Sequence, residues 1–224
     1  CTSGGQNGVY KSTDTGANWV KVSDAAMDAM MTHPSPSNVE LAVGNAGQVY
    51  AGIINNGQLA GLFRSGTGGA SWVQLDTPST NENGTGVGIQ PQEEPGSQGS
   101  IHFSIVADPT NANIVYVGGD RQPGPGEGPL SWPNSIGAWD YSGRLFRVDA
   151  SLPLGSQARS LTHCATISAS CPSISTTSNS SPHADSRRMT FDAAGNLLES
   201  DDGGVYKRTN PQGVGDWFSL NGSL

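Results

Sequence analysis

A unit of sequence that returns along this chain constrains its fold more than any other feature. Gly8, Val9, Tyr10, Lys11 and Ser12 run into a short stretch carrying Asp14 and Gly16, and Trp19 follows. The same order returns as Gly61, Leu62, Phe63, Arg64 and Ser65, a glycine turn at Gly68 and Gly69, then Trp72. A weaker copy runs from Gly204, Val205, Tyr206 and Lys207 to Trp217, and a fourth, Gly143–Asp149, keeps only the entering strand. Each copy has a physical logic. Val9 and Lys11 alternate with Tyr10 and Ser12, the period of a strand. The aspartate accepts backbone N–H groups inside the turn and the glycine supplies the positive φ that closes it. The tryptophan opens the returning strand and is expected to pack across the hairpin.

Other strand pairs fill the intervals. Residues 103–107 precede a turn at Asp108, Pro109 and Asn111, and 114–119 follow it. Residues 188–192 and 197–200 repeat that arrangement around Gly195. Ala25–Met31 is the one helical candidate, and it is short. Strand, turn, strand, loop, strand, turn, strand makes a four-stranded antiparallel unit, the blade of a β-propeller.

Ser12, Asp14, Gly16 and Trp19 read S-x-D-x-G-x-x-W. On those residues the chain resembles the Asp-box proteins, the sialidase, xyloglucanase and sortilin-type propellers. The resemblance implies an all-β fold, a β-propeller of four-stranded antiparallel blades with Asp-box turns, in which these four residues are structural. In phase with the repeat, blade pieces fall at about 1–23, 24–77, 99–162 and 183–224, with loop insertions at 79–99 and 120–142. About three and a half blades are fewer than the 4–8 that close a ring. The expectation is therefore a single partial propeller, completed by remaining blades or by another copy of the chain.

The balance of charge narrows the partners. The formal net charge is -8 and charged residues make up only 13%, whereas a nucleic-acid binder needs a basic face. No apolar run reaches the roughly 18 residues of a transmembrane helix, and no signal peptide is visible. An acidic chain rich in Ser and Thr suits the cell exterior or surface. Cys164 and Cys171 bracket a small loop, for which a local disulfide is expected in an oxidising compartment and two free thiols are the alternative. Cys1 is either a lipid-modified anchor or a mid-strand residue, and the repeat phase favours the second.

Blade topology sorts the candidate site residues. The loop entering each blade and its second-to-third strand connection share one face, and the Asp-box turns lie on the other. On the loop-rich face His183, Asp185, Asp201 and Asp202 are expected to converge, and their wording is similar to blades of xyloglucanase-like proteins. Two neighbouring carboxylates act as acid and base or hold calcium at Asp201 and Asp202. Alternatively, Asp201 and Asp202 cap the turn at Gly203 and Gly204 while His183 and Asp185 hydrogen-bond each other. The insertion at 120–142 offers Asp120, Trp132, Trp139 and Tyr141, a set that either binds sugar or pins the loop to the fold. The stretch 79–99 reads as a polar surface loop. No cofactor other than calcium is suggested.

Two functions compete at this level. One is a secreted or cell-surface module for binding, adhesion or structure, directed to a glycan or a protein partner. The other is a glycoside hydrolase whose catalytic residues lie partly elsewhere. A sialidase would use several arginines around the substrate carboxylate, and no such triad can be assembled from this chain. The aspartate-bearing run that xyloglucanases place early in their chain is also missing. Binding is the favoured reading, since fold alone does not fix function.

Overall fold

The computed structural model describes residues 6–31, 37–82, 85–90, 98–122, 141–162, 176–178 and 180–222. Among them the fold is all-β apart from one short helix, and every strand pair is antiparallel. The first sheet is a pair, β1 (Tyr10–Lys11) and β2 (Val20–Lys21), followed by α1 (Ala25–Met31). The second sheet is a four-stranded meander of β3 (Ser37–Val43), β4 (Val49–Asn55), β5 (Gln58–Ser65) and β6 (Val73–Leu75). A separate hairpin follows, β7 (Ser79–Glu82) and β8 (Thr85–Gly88). The third sheet contains β9 (Ser104–Ala107), β10 (Ile114–Arg121), β11 (Gly143–Asp149) and β12 (Ala158–Ser160). The fourth contains β13 (Arg188–Phe191), β14 (Leu197–Asp201), β15 (Gly204–Arg208) and β16 (Trp217–Ser219).

The turns form for the reasons their residues suggest. Ser12 Oγ accepts the Gly16 N–H at 2.8 Å, and Asp14 Oδ1 accepts the Asn18 N–H at 2.9 Å. Hydrogen bonds from Asn18 and Ser12 hold the Asp14 carboxyl down to about 2. The degenerate copy builds the same turn with other atoms. Ser65 Oγ accepts the Gly69 N–H at 2.8 Å, and Thr67 Oγ1 takes the place of the carboxylate, accepting the Ser71 N–H at 2.9 Å. The backbone agrees, with φ of 94° at Gly16 and 96° at Gly69. The helix starts where Asp24 caps it, its Oδ1 accepting the Met27 N–H at 2.9 Å, as an N-cap aspartate does.

Apolar residues lie between consecutive sheets rather than at one centre. Met27, Met31, Ile53 and Phe63 fill the first junction, Tyr50, Leu62, Phe103, Val115 and Phe146 the second, and Tyr116, Leu145, Met189, Leu197 and Trp217 the third. The leading strands β3, β9 and β13 run side by side. The cations of three repeats clasp the next sheet. Lys11 Nζ donates to Gly68 O, Arg64 to Ala112 O, and Arg147 to Gln212 O. Two of the returning tryptophans do the reverse. Trp72 Nε1 donates to Val22 O at 2.7 Å and Trp217 Nε1 to Leu161 O at 2.9 Å, both just past the last strand of the preceding sheet.

Two expectations need correction. Trp19 does not pack across its hairpin: it is 61% exposed and folds onto its own turn, Nε1 donating to Gly16 O. Trp72 and Trp217 pack against a preceding sheet, and among the described residues Trp19 has none. The stretch 79–99 is not wholly a surface loop either. It supplies β7 and β8, buries Ile89 in the second junction, and turns Gln90 Oε1 to the Leu59 N–H at 2.9 Å. The buried Arg144 on β11 holds this hairpin, donating to Thr80 Oγ1, Val87 O and Gly88 O. A guanidinium presents five donors in a rigid fork, which suits it to such a cradle.

Candidate functional site

The meander places four kinds of segment at one end of the sheets: the approaches to β9 and β13, the end of β10, and the tight turn from β14 to β15. Strand registers make Asp120 and Asp202 equivalent. Ala107 pairs with Val115 as Phe191 pairs with Leu197, and each aspartate lies five residues beyond that partner. The approach to β13 is stitched to the third sheet. Gly143 N donates to Pro182 O, Ala184 N to Tyr141 O and Ser186 N to Gly119 O. That stitching presents Asp185 beside the end of β10, with its backbone at φ 72°, a left-handed conformation that aspartate tolerates better than most residues.

His102 lies at the centre of what converges there. Its Nδ1 is 3.2 Å from Asp185 Oδ1 and 3.7 Å from Asp120 Oδ1. His102, Asp185 and Asp202 each bring one ligand-type atom within 4.8 Å of the others. Burial is the main influence on the His102 ring and lowers its pKa, against Asp185, which raises it. Gln98 N donates to Asp120 Oδ2 at 3.3 Å. Asp202 pairs at the rim with Arg187, whose Nε and Nη2 both lie 2.9 Å from Oδ1.

A second group sits beside the first. Asp201 Oδ1 accepts the Gly203 N–H at 2.8 Å, closing the β14–β15 turn. Burial raises the Asp201 carboxyl to about 6. Two residues earlier on the same strand face, Glu199 is 1% exposed and neither carboxyl oxygen has a hydrogen bond. Burial, then the neighbouring Asp201, pushes Glu199 well above its ordinary value. His183 stacks on Tyr141, ring centroids 5.5 Å apart and planes 11° apart. Gly203 leaves room for the His183 side chain, since a Cβ there would come within 2.5 Å of its Cβ and 2.6 Å of the ring. Tyr141 itself is 53% exposed.

Thus Asp120, Tyr141, His183, Asp185, Asp201 and Asp202 all fall on this face, in two adjoining groups. Asp185 turns to His102 and not to His183, whose Nδ1 instead meets Ala184 O at 3.1 Å. The alternative in which His183 and Asp185 hydrogen-bond each other is not what is seen, and Asp185 instead approaches His102 across sheets at 3.2 Å. Asp201 and Asp202, read together as a calcium pair, diverge: Asp201 is tied into its turn while Asp202 faces Arg187 and His102. Trp132, Trp139, Cys164 and Cys171 lie outside the described residues. His102 and Glu199 escaped sequence reasoning. The usable signal for His102 was the phase of the repeat, which sets the approach to β9 beside the approach to β13.

No protein-family model matches the chain, and no curated protein matches it. Among solved structures it is similar to the Trypanosoma rangeli sialidase in complex with sialic acid, at 12% identity and a TM-score of 0.39, over 93% of this chain and 25% of that one. It is similar to the intramolecular trans-sialidase from Ruminococcus gnavus in complex with oseltamivir carboxylate, at 12% identity and 0.37, over 94% and 37%. A third is the extracellular domain of the one-component system BT4673 from B. thetaiotaomicron, at 19% and 0.25, over 79% and 22%. The chain thus spans well under half the length of each of these proteins.

Proposed function

We propose that the chain is part of an Asp-box β-propeller displayed outside the cell, and that its loop-rich face binds neutral glycans. The stack of Tyr141 on His183 carries the reading. An exposed aromatic ring held rigid by a second ring offers a flat apolar face for the C–H surface of a sugar, and carboxylates beside it accept hydroxyl hydrogen bonds. Asp120, Asp185, Asp201 and Asp202 crowd the same end, while the Arg187 guanidinium there is engaged by Asp202. Such a field disfavours anionic sugars such as sialic acid and favours neutral ones. The propeller reading draws on the three four-stranded meanders and the turn bonding of Ser12, Asp14 and Gly16.

Hydrolysis draws on one observation, the Glu199–Asp201 pair with its raised carboxyls. A glycosidase needs both carboxyl groups flanking the scissile bond in a cleft. Glu199 is buried and Asp201 closes a turn, so binding is the better supported of the two. The test is a glycan array probed with the purified chain, repeated with Tyr141→Ala. Binding to neutral oligosaccharides that Tyr141→Ala weakens about tenfold is expected, the worth of a lost stacking face. Binding confined to sialylated glycans, or indifferent to Tyr141, would overturn the reading.

A further inference from the structure

The deepest member of the acidic cluster has no use in glycan binding. His102 is 4% exposed, and its Nδ1 is buried without a hydrogen bond. An unsatisfied buried imidazole nitrogen is costly and calls for an explanation. The Asp185 oxygen lies 3.2 Å away but does not meet the nitrogen along a hydrogen-bond line. That is the position of a co-ligand beside an ion seated on the lone pair. In a tetrahedral site with metal–ligand bonds of about 2.0–2.2 Å, neighbouring ligand atoms stand about 3.3–3.6 Å apart. The 3.2 Å from His102 Nδ1 to Asp185 lies just under that edge. Asp202 completes a group whose ligand atoms lie within 4.8 Å of one another, and its side chain, 44% exposed, stands on the solvent side with Oδ1 held by Arg187.

We propose that His102 Nδ1, Asp185 and Asp202 bind one divalent first-row transition ion, with Asp120 at the floor of the site. One imidazole with carboxylates suits zinc or manganese, whereas calcium takes six to eight oxygen ligands and gains nothing from the nitrogen. Asp202 ligates through Oδ2 while Oδ1 stays on Arg187, an outer hydrogen bond that orients the ligand. Solvent reaches the ion past Asp202. The cation also offsets a concentration of negative charge that Arg187 alone does not balance. This site adjoins the Tyr141–His183 stack and shares Asp185 and Asp202 with the face proposed to bind glycans, but it is argued from His102 and not from the stack.

The experiment is calorimetric titration of the EDTA-treated, dialysed full chain with zinc, manganese and calcium chlorides, with the bound metal counted by elemental analysis. One equivalent of zinc or manganese is expected, with calcium weaker. Asp185→Asn and Asp202→Asn should each weaken binding tenfold or more, the loss that even outer-shell changes produce. Asp14→Asn, on the opposite face, should leave it unchanged. Cobalt adds a direct view of the nitrogen ligand, since its visible absorption should change in His102→Gln. If His102→Gln fails to fold, the exposed Asp202 variant carries the test. Equal binding by wild type and both aspartate variants, a preference for calcium, or no binding at submillimolar metal would each overturn the proposal. Tyr141→Ala should weaken glycan binding about tenfold and spare the metal, so the two readings fail separately.

Discussion

Truncating the three repeat tryptophans one at a time should give three different costs, ordered by what each ring touches. Trp217 is 1% exposed, lies under the Arg208 guanidinium at 5.8 Å, and donates to Leu161 O. Trp217→Ala opens a cavity in the third junction and removes that stack, which places it in the range of about 3–5 kcal/mol for such core deletions. Trp217→Phe keeps most of the apolar surface and loses the donor. Leu161 O still accepts from Arg208 Nη1 at 2.9 Å, so no buried carbonyl is orphaned and the cost falls to about 1–2 kcal/mol. Trp72 is half-buried and bonds to Val22 O, so Trp72→Ala should cost about 2–3 kcal/mol. Trp19 is 61% exposed and bonds only within its own turn, so Trp19→Ala should cost about 1 kcal/mol or less. Urea unfolding followed by circular dichroism measures all four, with the slopes compared to establish that the unfolded states are alike. Equal costs at Trp19 and Trp217, or Trp217→Phe as damaging as Trp217→Ala, would refute the account of inter-sheet packing.

Other expectations follow from single contacts. Glu199 is raised by burial, so its contribution to stability is complete below its unfolded pKa, near 4.5, and is lost as pH rises toward the higher folded value. Glu199→Gln should therefore match wild type in Tm near pH 4 and exceed it at pH 8, and parallel Tm profiles would contradict this. Thr15 sits at φ 59° where the second copy has Gly68 at 63°. Relief of that strain, less the added freedom of the unfolded glycine, makes Thr15→Gly stabilising by about 0.5–1 kcal/mol in urea. Arg144→Ala should leave β7 and β8 without their clasp, read as faster amide exchange over 79–88 with the third sheet's strands still protected. Unchanged exchange there would show that the hairpin holds itself.

The sequence disclosed most where a local rule acts. Ser12, Asp14 and Gly16 announce their turn because three residues within one loop satisfy it. Even the degenerate copy was legible, since a threonine hydroxyl at Thr67 accepts the same kind of bond as the Asp14 carboxylate. The strand pairs around Asp108 and Asp192 were readable for the same reason. What stayed hidden depends on distant partners. The hairpin at 79–88 has no alternation of its own and is fixed by Arg144, 56 residues beyond the Gly88 carbonyl it holds. Trp19 and Trp217 share a motif position, and only the presence of a sheet to lean on separates them. The gathering on one face was legible from the order of strands and loops in each repeat, which brought Asp120, Asp185 and Asp202 into view. His102 was not, because Ser100 and Ile101 before it carry none of the H-x-D wording that flags His183.

The side-chain clasps between consecutive sheets also determine how the molecule would carry a load. Lys11, Arg64 and Arg147 each reach forward to one carbonyl of the next sheet, and the main apolar contacts likewise join neighbours. Connectivity of that kind distributes resistance in series. Stretched along its length, the chain should surrender one sheet at a time, in a staircase of rupture events rather than a single collapse. The exposed Lys11 link should yield before the buried junction around Trp217.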